Sequence, residues 1–317
     1  MMRVESYSRR PEANLHPGPS QAVEPSLVSP HLSAVQSHYC DTLDNYRLWS
    51  PEGNLHFGYW RSGINPFDRR RMLEEMNRQV FKQLRLDELP TGDIADLGCG
   101  VGAVSRFGGR CFPQLHWHGL NISLQQIETA RSMQRGEQVE YYCRDYHQLP
   151  WRDRSIDGAF FIESLCYSRQ PRDVIAEVAR VLRPGARVVI TDGFLMRPLA
   201  ETSRLFRAVF DGVAHNWAVP AYHQYQDVDA WLARSGLKRV AEHDLYSRLV
   251  PTAIQSLPLS LMCALKLGFR RDRNHWRWRQ LAASGLSLLL GLQRRNFRYF
   301  MIVLEKPLDA RKTSGKC

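Results

Sequence analysis

Lysine is scarce in this sequence. Of 43 basic residues only six are Lys, so the net charge of +11 is carried by arginine. Arginine's planar fork suits phosphate and carboxylate oxygens, so the excess points to anionic partners: a phosphorylated substrate, a membrane surface or nucleic acid. CxxC pairs are missing as well. The seven cysteines, at 40, 99, 111, 143, 166, 263 and 317, are scattered and odd in number. Neither a zinc site nor a disulfide framework is indicated, and reduced, intracellular thiols are expected. Long apolar runs are also absent. The N-terminal stretch lacks the apolar core of a signal peptide, and the runs at 257–267 and 286–292 are too short and interrupted to span a bilayer. A cytoplasmic protein is expected, with peripheral membrane contact left open. No internal repeat and no Asp-rich metal motif is present, and no metal-ligand set is assigned.

Five prolines fall within residues 1–30 among few large apolar groups, which reads as a disordered leader. Residues 31–75 form an aromatic and helical segment, including "HYCDTLDNYRLWSPEGNLHFGYW", and the main domain is expected over 76–307 with a flexible tail at 308–317. "RRRMLEEMNRQVFKQLRL" places Met72, Leu73, Met76, Val80 and Leu84 at helical spacing. A strand–helix rhythm follows: "DIADLG", "LHWHGLNIS", "VEYYCRD", "IDGAFFIES", "ARVVITDGF", "LKRVAEHDLY" and "FRYFMIVLEKP" read as strands. Ser123 is placed to cap "LQQIETARSM", and Asp227 to cap "VDAWLARSG". Such alternation argues for a parallel sheet with helices on both faces. Insertions interrupt it at about 197–226 and 251–295.

The first strand runs into "GCGVGA", a glycine loop opening a helix, where backbone approaches a ligand closely. The pattern formally satisfies GxGxxG/A, which alone is a weak signal. Two residues argue against a nicotinamide dinucleotide. Asp96 stands just before the first glycine, unfavourable beside a pyrophosphate but suited to the cationic amino-acid end of S-adenosylmethionine. Asn121 ends the second strand, where a dinucleotide site places an acid for the ribose. Asn121 can still bond ribose hydroxyls, with Gln126 one helical turn on.

"IADLGCGVGAVS", "CRDYHQLPW", "SIDGAFFIESLCYS" and "VARVLRPGARVVITD", in that order and spacing, resemble the class I S-adenosylmethionine-dependent methyltransferases over residues 80–306. The resemblance implies a Rossmann-like, seven-stranded α/β sheet, mostly parallel with its last strand antiparallel, helices on both faces and a helical, aromatic lid. It implies that Gly98, Gly100 and Gly102 lie against the methionyl part of the cofactor. Asp145 would accept from the adenine amino group, with Arg144 and Tyr146 flanking the ring. More narrowly, "NLHFGYW" and "FIESLCYSRQPRDVIAEVARVLRPG" are similar to the branch holding sterol, tocopherol and prenyl diphosphate C-methyltransferases. His56, Phe57, Gly58, Tyr59 and Glu163 match that branch.

Methyl transfer from a sulfonium is an in-line displacement, so alignment and exclusion of water contribute much of the rate. An oxygen or nitrogen acceptor needs a base, with His56, His215 and His223 available; a carbon acceptor needs carbocation stabilisation and then proton removal. The second task suits this chain. Tyr46, Trp49, Phe57, Tyr59, Tyr167, Trp217, Tyr222 and Tyr225 fall in segments framing the cofactor, and aromatic faces attract cations by roughly 0.5–2 kcal/mol each. Glu163 ends the apolar strand "GAFFIE", where burial would raise its pKa and fit it to act as base or counter-charge beside both cofactor and acceptor. Tyr46, His56, Tyr59, Tyr167 and Glu163 are therefore the catalytic candidates. The insertion before the last strand carries arginines, of which Arg271 and Arg295 are placed to grip a diphosphate bidentately, or its apolar helices to lie on a membrane. Mg2+ is expected only with a diphosphate substrate. Dispersed basic residues and the lack of an NPPY motif argue against nucleic acid. The reading is C-methylation of an isoprenoid, prenyl diphosphate or other terpenoid, with cyclisation open to the sheltered cation. The alternatives are a small-molecule O- or N-methyltransferase with a His base, and a non-catalytic methyltransferase-like binding protein.

Overall fold

The computed structural model describes residues 49–220, 222–268, 286–287 and 289–309. The leader, Tyr46, Arg271 and the tail beyond 309 lie outside the described residues.

Seven strands form one sheet in the order β3-β2-β1-β4-β5-β7-β6. They are β1 (Gly92–Leu97), β2 (Leu115–Asn121), β3 (Val139–Cys143), β4 (Ile156–Ile162), β5 (Leu182–Leu195), β6 (Lys238–Asp244) and β7 (Phe297–Glu305). The first five pair in parallel, while β7 is antiparallel to both β5 and β6. The strands were legible because β4 and the centre of β5 carry short apolar runs, GAFFI and VVI, as strands covered on both faces do. Chain order reverses between β1 and β4, and ligands in open α/β sheets bind in the crevice beyond the carboxyl ends of the strands at that switch.

Helices α1 (Arg69–Gln83), α2 (Ala103–Cys111) and α3 (Leu124–Met133) cover one face, and α4 (Pro171–Val181) and α6 (Asp227–Ser235) the other. Met72, Leu73, Met76 and Val80 are all buried along the inner side of α1, as their spacing requires. Phe81 packs among Phe107, Trp117 and Phe160, the last two fully buried. Burying such a side chain contributes about 1.5–3 kcal/mol. Ser123 caps α3, accepting from Gln126 N. Asp227 does not cap α6; it is the first helical residue, where a carboxylate still favours the positive helix end.

Both insertions hold helices, of which only those of the second, before the last strand, were expected. α5 (Arg204–Asn216) occupies the first insertion, burying Phe206, Phe210 and Val213. α7 (Tyr246–Gly268) runs through Pro251 and Pro258, and residues 286–287 and 289–292 are helical just before β7. Among the described residues no helix is long and apolar enough to cross a membrane.

Candidate active site

A cavity of about 290 Å³ opens beyond the carboxyl ends of β1 and β4, roofed by the segment from Trp49 to Phe57 and closed at its far side by α5 and α7. Three forces put it there. The strand reversal splays the chain apart at this end. The glycine loop keeps side chains out of the first turn of α2. The aromatic segment then folds over the opening.

That segment is fastened along its length. Tyr59 N donates to Met72 O and Trp60 N to Arg248 O, so it is held by α1 and α7 together. Thr252 Oγ1 donates to Gly58 O. The buried guanidinium of Arg106 donates to Val101 O in the glycine loop (2.5 Å) and to Glu52 O in the roof (2.9 Å), joining the two.

The three loop glycines have different reasons. Gly98 (φ +89°) and Gly102 (φ +74°) sit in the left-handed region, and a Cβ there would meet Ser164 and Tyr141 respectively at 2.4 Å. Both are forced by packing as much as by a ligand. Gly102 does not line the cavity, contrary to the expectation that all three face the methionyl group; Gly98 and Gly100 do.

Asp96, Asn121, Gln126, Arg144, Asp145 and Tyr146 all line the β1–β3 side. Asp96 is buried, accepts from Ser105 Oγ at 2.6 Å, and is pushed up to about 7 by desolvation. Asn121 Nδ2 donates to Gln126 Oε1 at 2.6 Å, while the buried Gln126 Nε2 has no protein partner. Such an orphaned donor is costly unless a ligand oxygen satisfies it. A buried anion, an unpaired donor and a loop clear of side chains fit the amino, ribose and methionyl parts of S-adenosylmethionine.

Glu163 lines the cavity just past the end of β4. Its Oε1 accepts from Phe57 N at 2.8 Å and from Tyr299 Oη at 2.7 Å, binding the carboxylate to the roof and to β7. Burial raises its pKa to about 7 despite both donors, with the neighbouring Asp192 adding to the rise. Its φ of +51° places a non-glycine residue in the left-handed region, a conformation costing about 1–3 kcal/mol and concentrated at functional sites. Trp49, Phe57, Tyr167, Trp217 and Tyr222 line the same cavity. Phe57 and Trp217 meet at 6.1 Å, and Tyr167 Oη donates to Trp217 O.

Other candidates are elsewhere. Tyr59 packs against the α1 side of the core with Arg248 over its ring, and is not part of the lining. Tyr225 packs on Phe194 and Phe300, turns its hydroxyl to Glu242 and donates its N–H to Leu195 O; it does not line the cavity. Arg295 is exposed and outside the lining; Arg298, three residues on, is within it. His56 does line the cavity, but Nδ1 faces Phe57 O at 2.8 Å and Nε2 faces the Asn54 side chain at 3.2 Å, and burial lowers its pKa to about 4. His215 is exposed and His223 turns to Leu165 O; neither lines the cavity.

Among the lining residues that escaped the sequence reading, Asp192 and Tyr299 touch the functional groups directly. Asp192 Oδ2 caps the turn at Cys166 N (2.9 Å), Oδ1 accepts from Gly193 N (2.8 Å), and burial pushes it up to about 6. An acid inside "VVITDGF" was the available signal. Among the described residues no group of three or more His, Cys, Asp or Glu converges as a metal site would.

Residues 95–190 match the family model of the methyltransferase domain. The chain is 31% identical to an O-methyltransferase of Penicillium expansum over 73% of its own length and 81% of that relative. It is 28% identical to 24-methylenesterol C-methyltransferase 2 of Arabidopsis thaliana, covering 67% of this chain and 58% of that one. Its fold matches geranyl diphosphate C-methyltransferase from Streptomyces coelicolor, solved with Mg2+, geranyl-S-thiolodiphosphate and S-adenosyl-L-homocysteine, with a TM-score of 0.66, 15% identity, and coverage of 88% and 99%. Sheet order, glycine loop, domain match and relatives agree: the chain belongs to the class I S-adenosylmethionine-dependent methyltransferases.

Proposed function

We propose that this enzyme methylates a carbon of a small, largely apolar acceptor, a terpenoid or similar alkene, with Glu163 as the group that answers the charge. Asp96, Gly98, Gly100, Asn121, Gln126 and Asp145 hold the cofactor, which when bound supplies a methyl group on a cationic sulfur. The roof and α5 align the acceptor double bond with that methyl and keep water out. The faces of Phe57, Trp217 and Tyr222 and the Glu163 carboxylate stabilise the carbocation left on the acceptor after its π electrons form the new bond. Glu163 then takes a proton from the neighbouring carbon, restoring a double bond. The observation that carries this reading is the Glu163 carboxyl itself, buried, held by Phe57 N and Tyr299 Oη in a cavity lined by aromatic rings, with its pKa raised to about 7.

The lining favours an uncharged acceptor over a prenyl diphosphate. Among its described members Arg144 and Arg298 are the arginines, set against Asp96, Asp145, Glu163 and Asp192. A second reading, O-methylation, is favoured by the name of the Penicillium relative. It too would use Glu163 as base, since His56 has both ring nitrogens engaged.

The test offers farnesol, a sterol, a phenol and geranyl diphosphate separately with methyl-labelled S-adenosylmethionine. Label on a carbon of farnesol or the sterol is expected. Label only on the phenol oxygen selects the second reading, and label only in geranyl diphosphate or its products overturns the preference for an uncharged acceptor.

A further inference from the structure

A chain of hydrogen bonds runs from Asp145 away from the cavity, and its other members have no part in the chemistry above. Asp145 opens a tight turn, with Gln148 N donating back to its carbonyl at 3.1 Å. Within the turn Asp145 Oδ1 accepts from His147 N at 2.9 Å and pairs with His147 Nδ1 at 2.5 Å. On its other edge, His147 Nε2 lies 3.0 Å from Ser168 Oγ, and that oxygen accepts from Gln170 N at 3.0 Å. For a neutral imidazole, one set of proton positions satisfies every atom. Nδ1 carries the proton and gives it to the carboxylate, Ser168 donates to Nε2, and the Gln170 amide donates to Ser168. Asp, His and Ser thus stand in the order of a hydrolase triad. Ser168 is fully buried, however, and is therefore a support and no nucleophile.

We infer that His147 is a positioning residue that fixes the Asp145 carboxylate for recognition of the cofactor's adenine amino group, with Ser168 holding the imidazole in the required tautomer. The inference rests on the reading of Asp145 as the adenine contact. A carboxylate at a loop tip swings about two side-chain torsions, and a short bond to one oxygen removes that freedom before the ligand arrives, so less entropy is lost on binding. The groups that hold the carboxylate come from separate elements. Asp145 and His147 follow β3, whereas Ser168 closes the short helical turn Leu165–Tyr167 after β4. Tyr167 of that turn lines the cavity, so the support for adenine recognition and one wall of the acceptor site share a backbone. Replacing His147 should therefore act on cofactor selectivity, which a purely structural imidazole would not govern.

The experiment measures dissociation constants of S-adenosylhomocysteine and its inosine analogue, which has a 6-oxo group in place of the amine, by calorimetry on the full chain. The proteins are the wild type, Asp145→Ala, His147→Ala and His147→Asn, whose amide nitrogen can stand in for Nδ1–H. Wild type should prefer the adenine form. His147→Ala should lose about tenfold for that form and little for the inosine form, collapsing the preference, while His147→Asn restores part of it. If Asp145→Ala collapses the preference and His147→Ala leaves it intact, the role of His147 is refuted while the adenine reading stands. If Asp145→Ala itself leaves the preference intact, the adenine reading fails and this inference with it. Equal loss for both ligands in His147→Ala indicates a structural role and overturns the proposal.

Discussion

Asp96 and Glu163 are both buried carboxylates whose pKa desolvation raises to about 7, and both end apolar strands. Their partners separate their tasks. Asp96 is supported by the Ser105 hydroxyl on the side of the glycine loop, whereas Glu163 is tied to the roof through Phe57 N and to β7 through Tyr299. Substituting Asp96→Asn removes a buried charge without changing its shape, so the melting temperature should hold or rise. Affinity for S-adenosylmethionine should fall about tenfold, as loss of a charged partner predicts, read by calorimetry; unchanged affinity contradicts its placement at the amino group. Both acids were legible because an acid in or ending an apolar strand is conspicuous. Tyr299 was not, since "FRYFM" is an ordinary strand pattern and only the antiparallel pairing of β7 with β5, Gly193 opposite Tyr299, brings it to the site. Arg295 failed for the converse reason: proximity in sequence to the site does not fix which way a side chain turns.

The roof is the element on which the chemistry depends, because it encloses the cavity and donates to Glu163. Just past it Gly58 packs on α1, where an added Cβ would lie 2.6 Å from Met72 Cβ and 2.8 Å from the Met72 carbonyl carbon. That neighbour is helix backbone and cannot yield. Gly58→Ala should cost about 1–3 kcal/mol, lower the melting temperature and slow methyl transfer by shifting Phe57 N away from Glu163. Wild-type melting and turnover together would show that the roof does not need this contact. The motif "HFGY" gave the segment's importance by resemblance, but its fastening to Met72, Arg248 and Thr252 comes from α1 and α7, which no local pattern announces. The course of α7 was hidden for another reason. Pro251 and Pro258 punctuate a sequence as helix breaks, yet packing of Leu249 and Ala253 into the interior carries the helix past them.

For the whole molecule, the buried acids set an unusual dependence on pH. Asp96 and Glu163 rise to about 7 and Asp192 to about 6, from ordinary values of 3.8, 4.5 and 3.8. Between the unfolded and folded values the native state binds more protons, so these groups' stabilising contribution is complete at low pH and is lost as pH rises toward 7. His56, lowered from 6.5 to about 4, acts in the opposite sense and stops contributing above 6.5. Above pH 6.5 the carboxylates are therefore the groups that remain. There the ligand-free protein should lose stability to denaturant as pH rises. A cationic cofactor favours the ionised acids, so its binding near pH 6.5 should release protons, detected by calorimetry in buffers of different ionisation enthalpy. Proton uptake would contradict the assignment of these carboxylates to a cation site. At this scale the sequence was most informative, because strand alternation and a glycine loop after β1 dictate where an open α/β sheet places its ligand.

The most direct measurement is the rate of labelled methyl transfer by Glu163→Gln across pH, beside cofactor affinity. Glutamine keeps the size and an acceptor oxygen but cannot take a proton. The wild-type rate should rise with pH through about 7, where Glu163 ionises. In Glu163→Gln that rise should vanish and turnover should fall about a hundredfold or more, with cofactor affinity little changed. Retention of wild-type turnover and of the pH-dependent rise would contradict a role for Glu163 in the reaction.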